Sequence, residues 1–260
     1  MTTLRKRTRF ITGINLGFNK DLVKGPSMIN HHKICVFDFE TDSPDPHSCN
    51  PVELAAIMID PRRLKFIKGS EFSSMMRPVD IDDEGYFETH KDTIDWHART
   101  LGKKSSEVLQ SWRDAPLQKN VWKDFKRYLD MYHIGDNRKS AYSAPLMAGY
   151  NNNNFDDHII KRLSEKYKDV DKRNECKLFF RRDNIDALSL TFLFFENNEE
   201  PNSYSMDTMR GYLGMSTKDA HQALTDVRQT GELIIRYMRV IRRAVKDMNF
   251  KDSCKNNPLI

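Results

Sequence analysis

The run Ile34–Thr41, ICVFDFET, limits what this chain can fold into more than any other stretch. Apolar but for Asp38 up to Phe39 and rich in strand formers, it predicts a strand covered on both faces, and so a central one. Side chains alternate along a strand, so Asp38 and Glu40 emerge on one face at its C-terminal end, while Phe37 and Phe39 pack the other way. Two carboxylates about 7 Å apart on one face repel each other unless a cation lies near them. Hard oxygen ligands favour Mg²⁺ or Mn²⁺, and open α/β sheets gather ligands beyond the carboxyl ends of their strands. The plainer reading of the same pair is acids that face water or cap the next turn.

A chain of 260 residues suits one compact domain with extensions. The expected division is a basic N-terminal extension over 1–33, a main domain over 34–248 and a tail over 249–260. With 38% hydrophobic residues and fifteen Phe the chain is too apolar to be disordered. No window approaches the roughly 18 continuous apolar residues of a membrane helix, so a soluble protein without a membrane partner is expected. Cys35, Cys49, Cys176 and Cys254 are widely spaced, without C-x-x-C pairs or a secretory signal ahead of them, which reads as reduced thiols in an intracellular, cytoplasmic setting. The net charge of +5 is uneven: residues 1–33 hold seven Lys or Arg and one acid, leaving 35 bases against 36 acids elsewhere. That arm suits a phosphate-contacting extension, an organelle transit peptide or a solvated tail.

Past Thr41, VELAAIMID (Val52–Asp60) and the run Lys65–Asp80, which contains KGSEFSSMMRPVD, read as strands of an antiparallel meander. Helical spacing begins at Thr89 and continues through Val121, Phe125, Tyr128 and Leu129. PLMAGYNNNN (Pro145–Asn154) is a strand passing into a polar turn, and a helix follows through Ile159, Ile160 and Leu163. Further helices are predicted over Asn184–Phe195, Ser205–Leu213 and Ala220–Met248, with Phe39, Trp96, Trp112 and Trp122 assigned to the core. Strands first and helices after them indicate an α/β domain, a mixed sheet flanked by helices.

Two later segments bear on the acids of the first strand. In GYNNNNFDDHII, Asp156 opens a helix after a strand, a position where an N-cap is the commoner role. In DAHQALTDV, His221 stands five residues before Asp226 at the start of the last long helix, where an imidazole can take a proton from water while the carboxylate one turn on holds a metal. Taken together and in order, FDFET, NNNNFDDHI and HQALTDV resemble the three motifs of the DEDDh branch of the DnaQ-like 3′→5′ exonucleases, over roughly Lys33 to Met238.

That resemblance implies a ribonuclease H-like core and two divalent cations, Mg²⁺ or Mn²⁺. It implies that Asp38, Glu40, Asp156 and Asp226 hold those cations and that His221 is the general base. Thr41 matches a residue that helps seat the terminal nucleotide, and Asn152 matches the Asn of the second motif. SMDTM (Ser205–Met209) resembles the short helix that precedes the third motif. TIDWHART (Thr93–Thr100) resembles a segment of phage exodeoxyribonuclease A-like and mycobacterial exoribonuclease-like members. The expectation is a nuclease that releases nucleoside monophosphates from a nucleic-acid 3′ end, single-stranded DNA before RNA, with a polymerase or replication partner open. Arg236, Arg239, Arg242, Arg243 and Lys246 on the last helix read as a backbone track, a partner dock or a solvated face. The alternatives are an exoribonuclease of the same fold, a catalytically idle binding module, and a glycosidase built on Asp38 and Glu40 alone.

Overall fold

A strand covered on both faces needs neighbours on both edges and a layer above and below. The computed structural model, which describes residues 32–135, 140–180, 184–216 and 222–247, provides them. Almost all of the basic extension, the whole tail and His221 lie outside the described residues. The strands are β1 (Ile34–Thr41), β2 (Pro51–Asp60), β3 (Lys65–Phe66), β4 (Phe72–Met75), β5 (Leu146–Gly149) and β6 (Asn184–Asp186). The helices are α1 (Tyr86–Leu101), α2 (Ser105–Arg113), α3 (Gln118–Asp130), α4 (Asp156–Lys166), α5 (Ala187–Phe195), α6 (Met206–Tyr212) and α7 (Ala223–Asp247). The sheet runs β3-β2-β1-β5-β6, with β4 also paired to β2, so β1 lies in its middle.

β1 is antiparallel to β2 and parallel to β5, and β5 is parallel to β6, which makes the sheet mixed. Parallel neighbours need long crossovers, and α1 to α3, then α4, supply them. Phe37 and Phe39 pack with Trp122 and Phe125 of α3 and Ile160 of α4 on one face. Ile34 and Val36 pack with Val227 and Ile234 of α7 on the other. Gly231 lets α7 lie close, because a Cβ there would come within 2.5 Å of the Phe66 ring. Among the described residues, no helix is long and apolar enough to cross a membrane.

Three sequence expectations change. The run Lys65–Asp80 holds two short strands along the same edge of β2, broken where the Ser70 hydroxyl takes over the ladder by accepting from the Met58 amide at 3.0 Å. The helix expected over Asn184–Phe195 begins with strand β6, and Asp186 ends that strand by accepting the Leu188 N–H as the N-cap of α5. Trp96 is 39% exposed, on the outer side of α1, whereas Trp112 and Trp122 are buried as expected.

Candidate active site

The C-terminal end of β1 carries the acids. Asp38 and Glu40 share the face that receives α7, and the β1–β2 register sets Glu53 directly opposite Glu40, so three carboxylates stand on adjacent positions of one surface. Asp156 arrives from the other layer, at the first turn of α4. It is not the N-cap, a position that Phe155 occupies; its Oδ1 instead accepts the backbone N–H of Phe39 at 2.9 Å. Asp226 lies in the first turn of α7.

These groups sense one another. Burial, followed by Asp156, Glu40, Asp226 and Glu53, holds the Asp38 carboxyl well above the usual carboxylate range. Glu40 is pushed up to about 8 by burial and then by Asp226, Glu53 and Asp156. Asp156 is pushed up to about 7, chiefly by burial, with the Phe39 N–H pulling the other way. Glu53 is raised by burial and by Asp226. Asp38, Glu40, Asp156 and Asp226 are therefore neighbours, as the sequence predicts, and Glu53 is a fifth acid beside them. The sequence signal for Glu53 was a lone carboxylate inside the apolar run Val52–Ile59.

Arg210 of α6 is the second residue that sequence reasoning missed. It is 1% exposed, and its guanidinium donates to Asp226 Oδ1 at 2.6 Å, to Asp207, and through Nε to Gln229. A buried, multiply bonded guanidinium fixes the direction of the carboxylate it holds. Asp207 and Arg210 stand three apart, a spacing that points to a surface ion pair; nothing in it reveals that the pair also reaches Asp226 on α7.

The backbone beyond Glu40 is held from α1. His97 Nε2 donates to the Thr41 carbonyl and His90 Nδ1 to the Asp42 carbonyl, each at 3.0 Å. The fully buried Asp42 carboxylate accepts from Asn50 and from the Tyr86 hydroxyl. Burial lowers the pKa of His97, which favours a neutral ring beside the acids. Thr41 is 8% exposed and its hydroxyl donates to the Ser43 carbonyl. Asn152 is fully buried and donates to Asn184 Oδ1 at 2.6 Å. Both nucleotide-facing expectations thus fall on side chains engaged within the protein. The turn before Asp156 is tight, since a Cβ at Gly149 would meet Asn152 Cβ at 2.7 Å, and Asp186 clamps it by accepting from the Asn151 and Asn153 amides.

No protein-family model and no curated protein matches the sequence. Solved structures do. Cell-death related nuclease 4 (CRN-4) superposes with a TM-score of 0.56 at 15% identity, covering 81% of this chain and 65% of that one. Exonuclease I from E. coli, in complex with a dT13 oligonucleotide, gives 0.55 at 17% identity, covering 86% of this chain and 44% of that one. Exonuclease I from Methylocaldum szegediense gives 0.54 at 20% identity, covering 85% and 43%. At this identity the likeness is one of fold: the mixed sheet and its flanking helices are those of these nuclease structures. The chain spans less than half the length of the exonuclease I structures, so the likeness concerns the fold of this body alone.

Within that body, the donor chemistry suits a hard divalent cation: the acids are oxygen donors whose mutual repulsion a cation would relieve. Among the described residues, no three His, Cys, Asp or Glu side chains already close around one point. Two of the oxygens are otherwise engaged, Asp226 Oδ1 with Arg210 and Asp156 Oδ1 with Phe39. Asp38, Glu40, Asp156 and Asp226 are the residues whose oxygens suit such an ion.

Proposed function

We propose that the protein is a divalent-metal-dependent 3′→5′ exonuclease that removes nucleoside monophosphates from single-stranded nucleic acid, DNA before RNA. The observation that carries this reading is the convergence of Asp38 and Glu40 from β1, Asp156 from α4 and Asp226 from α7 at the carboxyl end of the central strand. A glycosidase needs two carboxylates; it leaves the approach of Asp156 and Asp226 without a purpose.

Asp38, Glu40, Asp156 and Asp226 would hold the cations. Bound there, Mg²⁺ or Mn²⁺ supplies charge neutralisation at the scissile phosphodiester and lowers the pKa of water. The protein's own residues have distinct tasks. The Phe39 amide aims Asp156, and Arg210 aims Asp226. His221, outside the described residues, takes the proton of the attacking water as the bond to the 3′ oxygen breaks. Contacts of α1 with the Thr41 and Asp42 carbonyls hold the end of β1 in place.

Support for DNA comes from the likeness to an exonuclease I bound to dT13, and support for a metal from a zinc-bound form of the E. coli exonuclease I–ssDNA complex. The structure of exonuclease I with SSB-Ct supports a replication partner as a further part of the reading. The test is digestion of end-labelled DNA and RNA strands of one sequence, single- and double-stranded, with Mg²⁺, Mn²⁺ or chelator. Terminal mononucleotides should accumulate from the 3′ end only with metal. Internal fragments appearing first, or activity surviving chelation, would refute the reading.

A further inference from the structure

Apart from its N-terminal arm the chain is close to neutral, yet one surface far from the acids is strongly cationic. Arg62 and Arg63 in the turn after β2, with Lys65 on β3, are exposed. α7 crosses that turn: Arg239 donates to the Leu64 carbonyl at 3.3 Å and Arg242 to the Pro61 carbonyl. Those bonds are made to neutral carbonyls, and among the described residues neither guanidinium pairs with an acid, so both bring their charge to the patch. Arg236 adds a sixth cation and pairs with Glu232 at 2.5 Å. The other nearby acid, Asp60, is matched by Lys33 at 3.2 Å. A positive surplus therefore sits where α7 meets the β2–β3 turn.

The surface also has a shape. A cleft of about 330 Å³ opens between β3 and α7, with Phe66 and Ile235 among its apolar lining and Lys65, Arg236, Arg239 and Glu232 as its charged residues, Glu232 being the acid already paired with Arg236. Phosphates bind cations, and unstacked bases rest on apolar or aromatic side chains, so a cationic rim over an apolar floor is what a single strand needs and a smooth duplex does not.

Two rulers place the patch relative to the site. From Glu53, beside the acids, to Asp60 at the far end of β2 is seven residues, about 24 Å at strand spacing. From Asp226 to Arg239 is thirteen residues of one helix, about 20 Å. We infer that the β2–β3 turn and the C-terminal half of α7 form a second nucleic-acid contact, which holds the phosphates of a single strand upstream of the 3′ end engaged at the acids. This rests on the nuclease reading above. Because the stacked spacing of about 3.4 Å per nucleotide is a minimum for an unstacked strand, the separation spans at most about seven nucleotides, and strands of about two engage the acids alone.

The test compares the full-length protein with an Arg62→Gln/Arg63→Gln/Lys65→Gln variant, which alters exposed side chains and leaves the Arg239 and Arg242 bonds to the turn in place. Binding of labelled single strands of about 20 and about 2 nucleotides, chosen to lie either side of that reach, is titrated against salt in chelator, so that no hydrolysis intervenes. For the long strand, log K against log salt should be shallower in the variant by about 2, from three phosphates at about 0.7 each. A fourfold rise in salt then weakens the wild type about 16-fold more than the variant. Short-strand affinity should be the same in both.

Equal slopes and affinities on the long strand would overturn the inference. So would an equal loss on both lengths, or binding to phosphatidylserine vesicles with none to oligonucleotide. Because the readout is binding without metal, the outcome stands whether or not the wild type proves to be a nuclease, and the digestion experiment judges that reading separately.

Discussion

The carboxylate cluster should make the metal-free protein less stable as pH rises, and Glu40→Gln should remove part of that loss. Glu40 is pushed from 4.5 up to about 8 in the folded protein. Between those values the native state keeps a proton that the unfolded chain has released. Stability then falls with rising pH, because the slope follows protons bound in the unfolded state minus those bound in the native state, and that difference is negative. Below about 4.5 both states are protonated and nothing is lost; above about 8 the loss is complete.

At about 1.36 kcal/mol per pH unit the ceiling for this group alone is about 5 kcal/mol. Asp38, Asp156 and Glu53 share the repulsion and relax when one partner is neutral, so a few kcal/mol is the expected share. For a chain of this size, about 2 kcal/mol moves Tm by roughly 4–8 °C. The measurement is thermal unfolding of both proteins in chelator at pH 5 and pH 8.5. At pH 5 the two should melt together, since Gln is isosteric with the protonated acid. At pH 8.5 the variant should melt higher, with only the wild type regaining stability on addition of Mg²⁺, by about 2.7 kcal/mol at a hundredfold excess over Kd. The reasoning is refuted if the wild type melts at the same temperature at both pH values, or if the variant loses as much as it does.

Asp226→Ala should abolish mononucleotide release while leaving the circular dichroism melt cooperative; wild-type turnover in this variant would end the site assignment. His221→Ala should lower turnover by roughly 10²–10⁴ with strand affinity little changed, as expected on removal of a general base, which steady-state kinetics beside a binding titration will show. Arg210→Met strands Asp226, Asp207 and Gln229 without their donor, and should cost about 3–5 kcal/mol in urea unfolding; Arg210→Lys should recover only part of this, because one ammonium cannot serve three directions. Gly231→Ala drives a methyl toward the Phe66 ring, and should cost roughly 1–3 kcal/mol by the same assay.

What could be read from the sequence was whatever local pattern decides. The alternation of ICVFDFET set the faces of Asp38 and Glu40 and sent Phe39 into the core, where it is 4% exposed. The order of the three acidic segments carried the fold. What escaped depended on pairing across the chain. Glu53 is a site neighbour only because the β1–β2 register sets it opposite Glu40, and register is invisible in either strand alone. Arg210 went unread, since the spacing within α6 that pairs it with Asp207 says nothing of Asp226 on α7. Asn184–Asp186 was absorbed into the following helix because a three-residue strand gives no period, and only its pairing with Met147–Gly149 reveals it.

Acids crowded in this way would relax apart unless the backbone that carries them is fixed by something stronger. β1 is fixed along both edges by its ladders with β2 and β5. Its C-terminal end, where the β2 register shifts between Glu40 and Thr41, is secured by other means. There His97 and His90 hold successive carbonyls, and Asn50 and Tyr86 hold the buried Asp42 carboxylate. Net hydrogen bonds are worth about 1 kcal/mol each and more to a charged partner, so this set matches in size the cost of ionising Glu40, to which burial and the neighbouring acids both contribute. THKDTIDWHART therefore bears on the site through the backbone: it keeps β1 from yielding to the repulsion of its own acids, the repulsion that a cation bound as proposed would relieve.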